Sequence, residues 1–181
     1  MNSDEIINSI IKPFVVEQPY EVPGEFYMSS SSNTKYIHYG STSFQLDKFQ
    51  SIKNREWGAV KPIGGIWASP IDAEWGWKQW CTSEEFWLDK LDSNFEFSLS
   101  DDARVCHIKS VKDLKKLPEW QGLFKSTWYC IDFEKTMKKY DAIELHLSDE
   151  IVDDYLDSLY FKLYGWDCDS ILIINPNIII K

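Results

Sequence analysis

Residues 61–80 read KPIGGIWASPIDAEWGWKQW and hold four of the chain's nine tryptophans. The Gly64-Gly65 pair leaves the backbone free to take unusual φ/ψ angles or to let another group approach closely. The apolar run Ile66-Trp67-Ala68 behind it has the length and character of a short buried strand, and Ser69-Pro70 is expected to end it. From Asp72 to Trp80 the spacing predicts a helix on which Trp77 and Trp80 share a face while Trp75 points elsewhere. Aromatic side chains dominate core energetics by area, so a Trp-rich core helix and a Trp-lined cleft both fit the segment.

The rest of the composition bounds what this segment serves. A chain of 181 residues suits one domain with an arm or insertion and is long enough to bury a real core. Its 44% hydrophobic and 27% charged residues are those of a folded chain, not a disordered one. No apolar run is long enough to cross a bilayer, since the C-terminal ILIINPNIII is short and broken by Pro176, so no membrane partner is expected. The start, MNSDEIINSIIKPF, lacks the basic opening and small-residue cleavage site of a signal peptide, which predicts a cytoplasmic protein. Cys81, Cys106, Cys130 and Cys168 have no CxxC spacing and read as reduced core residues, and no metal site is expected. A formal net charge of −10 works against an electrostatic grip on nucleic acid, although a small local basic cleft stays compatible with it.

Residues 1–35 read as an arm and linker. Ile6, Ile7, Ile10 and Ile11 have helical spacing over Asp4 to Lys12, Ser3 is a suitable N-cap, and Pro13 stops the helix. Pro19, Pro23, Gly24 and the polar tract to Thr34 follow. In the domain, residues 36–181, strands are expected at 36–39, 65–68, 95–99, 103–108, 140–147, 159–164 and 171–180, the last bent at Asn175-Pro176. Residues 53–62 read as a mobile loop and 86–91 as the tail of the Trp-rich helix. Further helices are expected from Ser110 to near Pro118 and over 128–139, and the acidic 148–157 as a loop or exposed helix. This is an α+β pattern. Seven short strands exceed what one small flat sheet holds, so two small packed, mainly antiparallel sheets around a cleft are expected, with flanking helices.

The ordered set His38-Tyr39-Gly40-Ser41, Gly65-Ile66-Trp67-Ala68-Ser69 with Trp75 and Trp77, and the strands Tyr140–Glu144 and Ser170–Pro176 resembles the ADP-ribosyltransferase superfamily. The similarity is to its His-containing branch, that of diphtheria toxin and the poly(ADP-ribose) polymerases, and covers residues 36 to 181 in the same order. The resemblance implies an NAD cleft with His38, Tyr39, Gly40, Ser41, Gly65, Trp67, Ser69 and Trp77 on the cofactor. His38 matches the family's ribose-binding histidine, Trp67 stands at its tyrosine position, and Trp77 lies near its second aromatic. The implied activity is mono-ADP-ribosylation of a macromolecule, most simply a protein, as in a toxin, phage or defence-related protein.

Those residue types suit the chemistry. Cleaving the nicotinamide glycosidic bond passes through an oxocarbenium-like state, which needs a nearby anion, and a cationic pyridinium favours an aromatic face. The family's catalytic Glu stands at the mouth of a strand like 171–175, where this chain has Ser170 with Asp169 beside it, while Glu144 lies in the preceding strand. Either acid, Glu144 or Asp169, is a candidate for the catalytic charge. His107 and His146 fall within strand patterns and receive no role. Two other readings remain: an NAD-binding protein without catalysis, and an acidic interaction module, immunity- or inhibitor-like, that docks through exposed Trp. A cleft shared by His38, Trp67 and Trp77, as against a flat face, separates them.

Overall fold

Side chains of successive strand residues point to opposite faces, and in the centre of this fold that alternation divides two kinds of surface. The computed structural model describes residues 34–55, 61–120, 130–147, 160–163 and 165–180. Nine strands are present among them: β1 (Lys35–Tyr39), β2 (Ile66–Pro70), β3 (Asn94–Leu99), β4 (Val105–Ile108), β5 (Glu119–Trp120), β6 (Cys130–Ile131), β7 (Ala142–Leu145), β8 (Ser170–Ile173) and β9 (Ile179–Ile180). Seven form one mixed sheet in the order β4-β7-β8-β2-β1-β3-β9, and β5 pairs with β6 in a separate ribbon. Only the β4–β7 pairing within the large sheet is parallel.

The α+β class and the mainly antiparallel pairing match the expectation, but the strands do not divide into two small packed sheets. Register explains how one sheet takes seven. Cys106 faces Ile143, Ile143 faces Leu172, and Leu172 faces Trp67, so one row crosses four strands. Their neighbours make a second row, His107, Glu144, Ile171 and Ala68, on the opposite face. Each row belongs to its own core. Cys106, Ile143 and Leu172 join Ile52, Phe133 and Trp166, with Trp67 packed against them. Ala68 and Ile171 join Tyr36, Phe97 and Val105. Burying a large apolar side chain contributes about 1.5–3 kcal/mol, so both faces hold the sheet together.

Several local expectations change. The strand after Gly64-Gly65 continues through Ser69 and Pro70, where Tyr36 pairs with Pro70. The helix starts late, as α1 (Trp77–Ser83), and residues 88–90 form a separate 3-10 turn beyond a break in the chain direction. The helix after Ser110 is the single turn α2 (Val111–Leu114). Of the one expected over 128–139, the described residues 130–139 form only α3 (Phe133–Thr136), capped by the Asp132 carboxylate, which accepts from the Lys135 N–H. Tyr160–Leu163 is a 3-10 turn where a strand was expected. The C-terminal strand is split: Asn175 Oδ1 accepts from the Asn177 N–H, opens a 3-10 turn, and sends β9 to the far edge beside β3. The expected helix at 4–12, the arm to residue 33 and the acidic segment at 148–157 lie outside the described residues. Among the described residues no helix is long and apolar enough to cross a membrane.

Candidate functional site

The strands at the centre of the sheet, β8, β2 and β1, are those that carry the quoted motifs. The turn into β2 requires its glycines. A Cβ on Gly64 would lie 2.5 Å from the carbonyl oxygens of Gln50 and Ser51, and φ there is +81°. A Cβ on Gly65 would lie 2.6 Å from Leu172 Cδ1 and 2.7 Å from Ile52 Cδ1. The backbone therefore packs flat against the core and releases Trp67 at the wall of a cavity.

That cavity has a volume of about 280 Å³, and Ile37, His38, Tyr39, Gly65, Trp67, Ser69, Trp77 and Ser170 are among the residues lining it. Six of the eight residues singled out for the cofactor thus meet: His38, Tyr39, Gly65, Trp67, Ser69 and Trp77. Gly40 and Ser41 do not line it. Gly40 takes φ +101° at the end of β1, and Ser41 lines a neighbouring cavity that His38 and Gly65 also reach.

Ser69 holds the wall together. Its Oγ donates to the Asp169 carbonyl at 2.8 Å and accepts the Trp77 N–H at 2.9 Å, joining the mouth of β8 to the start of α1. Trp75 adds two ties to the same loop, its Nε1 donating to the Asp167 carbonyl and its own carbonyl accepting the Asp169 N–H. Trp75 is not among the residues lining the cavity, whereas Trp77 is, and Trp77 stacks on Trp80 with centroids 5.0 Å apart. Phe86 meets both rings edge-on and stacks on Trp87, a further cavity residue.

The His38 Nδ1 lies 2.7 Å from the Trp67 carbonyl. A carbonyl only accepts, so Nδ1 carries the proton, and the neutral ring keeps an acceptor at Nε2. Burial lowers the His38 pKa below its ordinary 6.5, opposed by that hydrogen bond. His38 is accordingly neutral near pH 7.

Lys61, Trp87, Trp166, Asp167 and Cys168 also line the cavity and were missed in the sequence. The Lys61 ammonium stands 5.0 Å from the Trp67 ring centre and 5.8 Å from that of Trp77, with its stem against Gly165. Burial lowers its pKa, while Asp167 and Cys168 pull it back up. A basic residue beside a Trp-rich run was the available signal, and the acidic balance of the chain obscured it. Burial pushes the Cys168 thiol up to about 12, so it is no nucleophile at neutral pH.

Neither proposed catalytic acid is among the residues lining this cavity. Glu144 sits in the opposite row, since the period of two that turns Trp67 and Leu172 toward one face turns Glu144 and Ile171 toward the other. Its burial would raise its pKa, but His107 and His146 beside it hold the carboxyl down to about 2. Asp169 anchors a loop, its Oδ1 accepting the Leu147 N–H at 2.7 Å. Burial raises the Asp169 pKa, against the pull of that hydrogen bond. The β8 position that does reach the cavity is Ser170, a hydroxyl, and the carboxylate residue among those lining the cavity is Asp167.

Comparison with models of known families, with curated proteins and with solved structures finds no match. The likeness to ADP-ribosyltransferases therefore rests on the residues quoted above.

Proposed function

We propose that the cavity binds NAD and that the protein transfers ADP-ribose from it to a macromolecular acceptor, or hydrolyses NAD slowly. The observation that carries this reading is the meeting of His38, Tyr39, Gly65, Trp67, Ser69 and Trp77, drawn from two separate strands and a helix, at one concave site. A docking module would have spread them over a flat face, so the cleft favours a small-molecule ligand.

Lys61 refines the pose. An ammonium already over both indoles competes with a cationic nicotinamide for the same place. The pyrophosphate of NAD is the better partner for Lys61, leaving one of the two NAD rings to stack on Trp67 or Trp77. Neutral His38 suits a ribose hydroxyl, which both donates and accepts. The charge that stabilises the oxocarbenium is then Asp167, in place of Glu144 or Asp169.

Ser170 favours a second reading, NAD binding without turnover, because it puts a hydroxyl where the resembling family has its catalytic Glu. The test is a titration of intrinsic Trp fluorescence with NAD, followed by release of nicotinamide from labelled NAD with cell lysate as acceptor. Binding is expected, with Trp67→Ala weakening it by about 1–3 kcal/mol. Asp167→Asn should retain binding and lose about 10²–10³ in rate. Binding without nicotinamide release selects the second reading. A folded wild-type protein that does not bind NAD, or a folded Trp67→Ala variant with unchanged affinity, removes the pocket from the argument.

A further inference from the structure

In the row that runs through Ile171 and Ala68, parallel pairing sets His107 on β4 directly beside Glu144 on β7, and His146 follows one residue past the end of that strand. His107 Nδ1 lies 2.9 Å from Glu144 Oε2 and His146 Nε2 lies 3.5 Å from the same oxygen. All three ligand atoms fall within 4.8 Å of one another. Both ring nitrogens are shut off from solvent, yet among the described residues neither has a hydrogen-bond partner, so each lies close to the carboxylate but off the line a hydrogen bond requires. Leaving a buried polar atom unmet is unfavourable, and here two such atoms meet at one carboxylate.

We propose that His107, Glu144 and His146 form a binding site for a divalent transition-metal ion of the zinc class. Tetrahedral ligands at the usual Zn–N and Zn–O lengths of about 2.1 Å stand about 3.4 Å apart, close to the two contacts at Glu144. Two imidazoles and one carboxylate are a borderline-soft set that suits Zn²⁺ or Co²⁺ better than Ca²⁺ or Mg²⁺. Three protein ligands leave a fourth position open, and the His146 side chain, 36% exposed, puts the site within reach of solvent. Tyr36 acts as a positioning residue, its hydroxyl donating to the other carboxylate oxygen, Oε1, at 3.2 Å. The two histidines carry no motif spacing, because sheet register brings His107 beside Glu144 and His146, which lie 37 and 39 positions further along the chain.

The experiment uses the full chain, stripped with EDTA and dialysed, then titrated with Co²⁺ by visible absorption and with Zn²⁺ by calorimetry. One equivalent of each is expected, with a tetrahedral-type Co²⁺ spectrum that Zn²⁺ bleaches. His146→Ala, at the partly exposed ligand, should lower Zn²⁺ affinity at least 100-fold. Tyr36→Phe should lower it about 10-fold while keeping the Co²⁺ band, a split that a merely structural tyrosine does not produce. Circular dichroism checks that each variant is folded. No saturable uptake of Co²⁺ or Zn²⁺ by the wild-type protein overturns the site, as does a folded His146→Ala variant with wild-type affinity. Loss of NAD binding leaves the metal titration unaffected, so this inference and the proposed function fail separately.

Discussion

Leu172 and Ile171 are neighbours in β8, both fully buried, yet they serve opposite halves of the molecule. Leu172 belongs to the row of Cys106, Ile143 and Trp67 that backs the cavity, and Ile171 to the row of His107, Glu144 and Ala68. The first row leads through Trp67 to an aromatic concave site that Lys61 also lines; the second holds a buried carboxylate beside two imidazoles and reaches that concave site at Ala68. A slip of one residue in β8 would exchange its contribution to the two faces. A sequence search for function that ignores parity therefore merges two sites into one.

The largest expected effect comes from separating these neighbours by mutation. Leu172→Ala and Ile171→Ala should each cost about 3 kcal/mol, because both truncate a filled core position. Urea unfolding reads that cost. The two variants should differ in the ligand titration: Leu172 supports Gly65 at the cavity wall, so its loss should weaken NAD binding, whereas Ile171→Ala should leave it near wild type. Equal effects on binding would mean that the faces are not functionally separate.

The clamp that keeps both rows in register is the next target. Asp141, buried ahead of β7, accepts from the backbone N–H and guanidinium of Arg104 and from Asn175 Nδ2, and its carbonyl accepts the N–H groups of Ile174 and Asn175. Hydrogen bonds from the Arg104 guanidinium outweigh burial and hold its carboxyl below the ordinary 3.8, at about 2. A pKa depressed in the folded state gives stability that is present above about pH 4 and is lost as pH falls toward 2. Arg104 is partly exposed, so the contribution is about 1–2 kcal/mol, not the full value of an enclosed pair. Asp141→Asn should cost about 2 kcal/mol at pH 7 and flatten the decline in stability between pH 4 and 2. An unchanged acid limb would assign that limb to other carboxylates.

Ser69→Ala gives a smaller and more local effect. It removes one donor and one acceptor at a buried hydroxyl that joins the Asp169 carbonyl to the Trp77 N–H. A cost of about 1–2 kcal/mol is expected, with weaker binding at the cavity, since Trp77 and the loop leading into β8 lose their common support. Calorimetric unfolding and the NAD titration read the two consequences.

What the sequence showed follows the range of each interaction. The central strands were legible because Tyr36 to Tyr39, Ile66 to Ala68, Phe95 to Leu99 and Ala142 to Leu145 carry local apolar patterns, and the α+β class follows from them. The sheet count was not legible, because β9 leaves β8 through a turn capped by Asn175 and crosses to the far edge, a choice made by tertiary pairing. Strand-like Tyr160–Leu163 became a 3-10 turn for a reason the chain alone does not display. At the site, the Gly and Trp clustering located the cavity, whereas the absence of Glu144 and Asp169 from its described lining was not legible, because the face that Glu144 takes relative to Trp67 is decided by the register between strands. Trp166 and Asp167 lie in a turn with no motif, and Lys61, at the head of the Trp-rich stretch, was hidden by the acidic balance of the chain.

The smallest expected effect tests why the cavity side carries backbone strain. Among the described non-glycine residues, positive φ occurs at Glu85, +52°, and Trp87, +53°, both in the turn that follows α1. A left-handed conformation costs an L residue about 1 kcal/mol, and such costs persist where surrounding structure enforces them. Here the stacking of Trp87 on Phe86, and of Phe86 against Trp77 and Trp80, supplies the enforcement. The turn brings Trp87, itself largely exposed, to the cavity lining. Glu85→Gly removes one left-handed side chain without touching that stack, and should raise stability by about 0.5 kcal/mol, the relief of strain being partly offset by the freer unfolded chain. If the strain serves to hold Trp87 at the cavity, the same variant should bind NAD about 2- to 3-fold more weakly, because a glycine lets the turn sample other angles. Higher stability with unchanged affinity would show that the turn is a connection only, and that the cavity is complete without it.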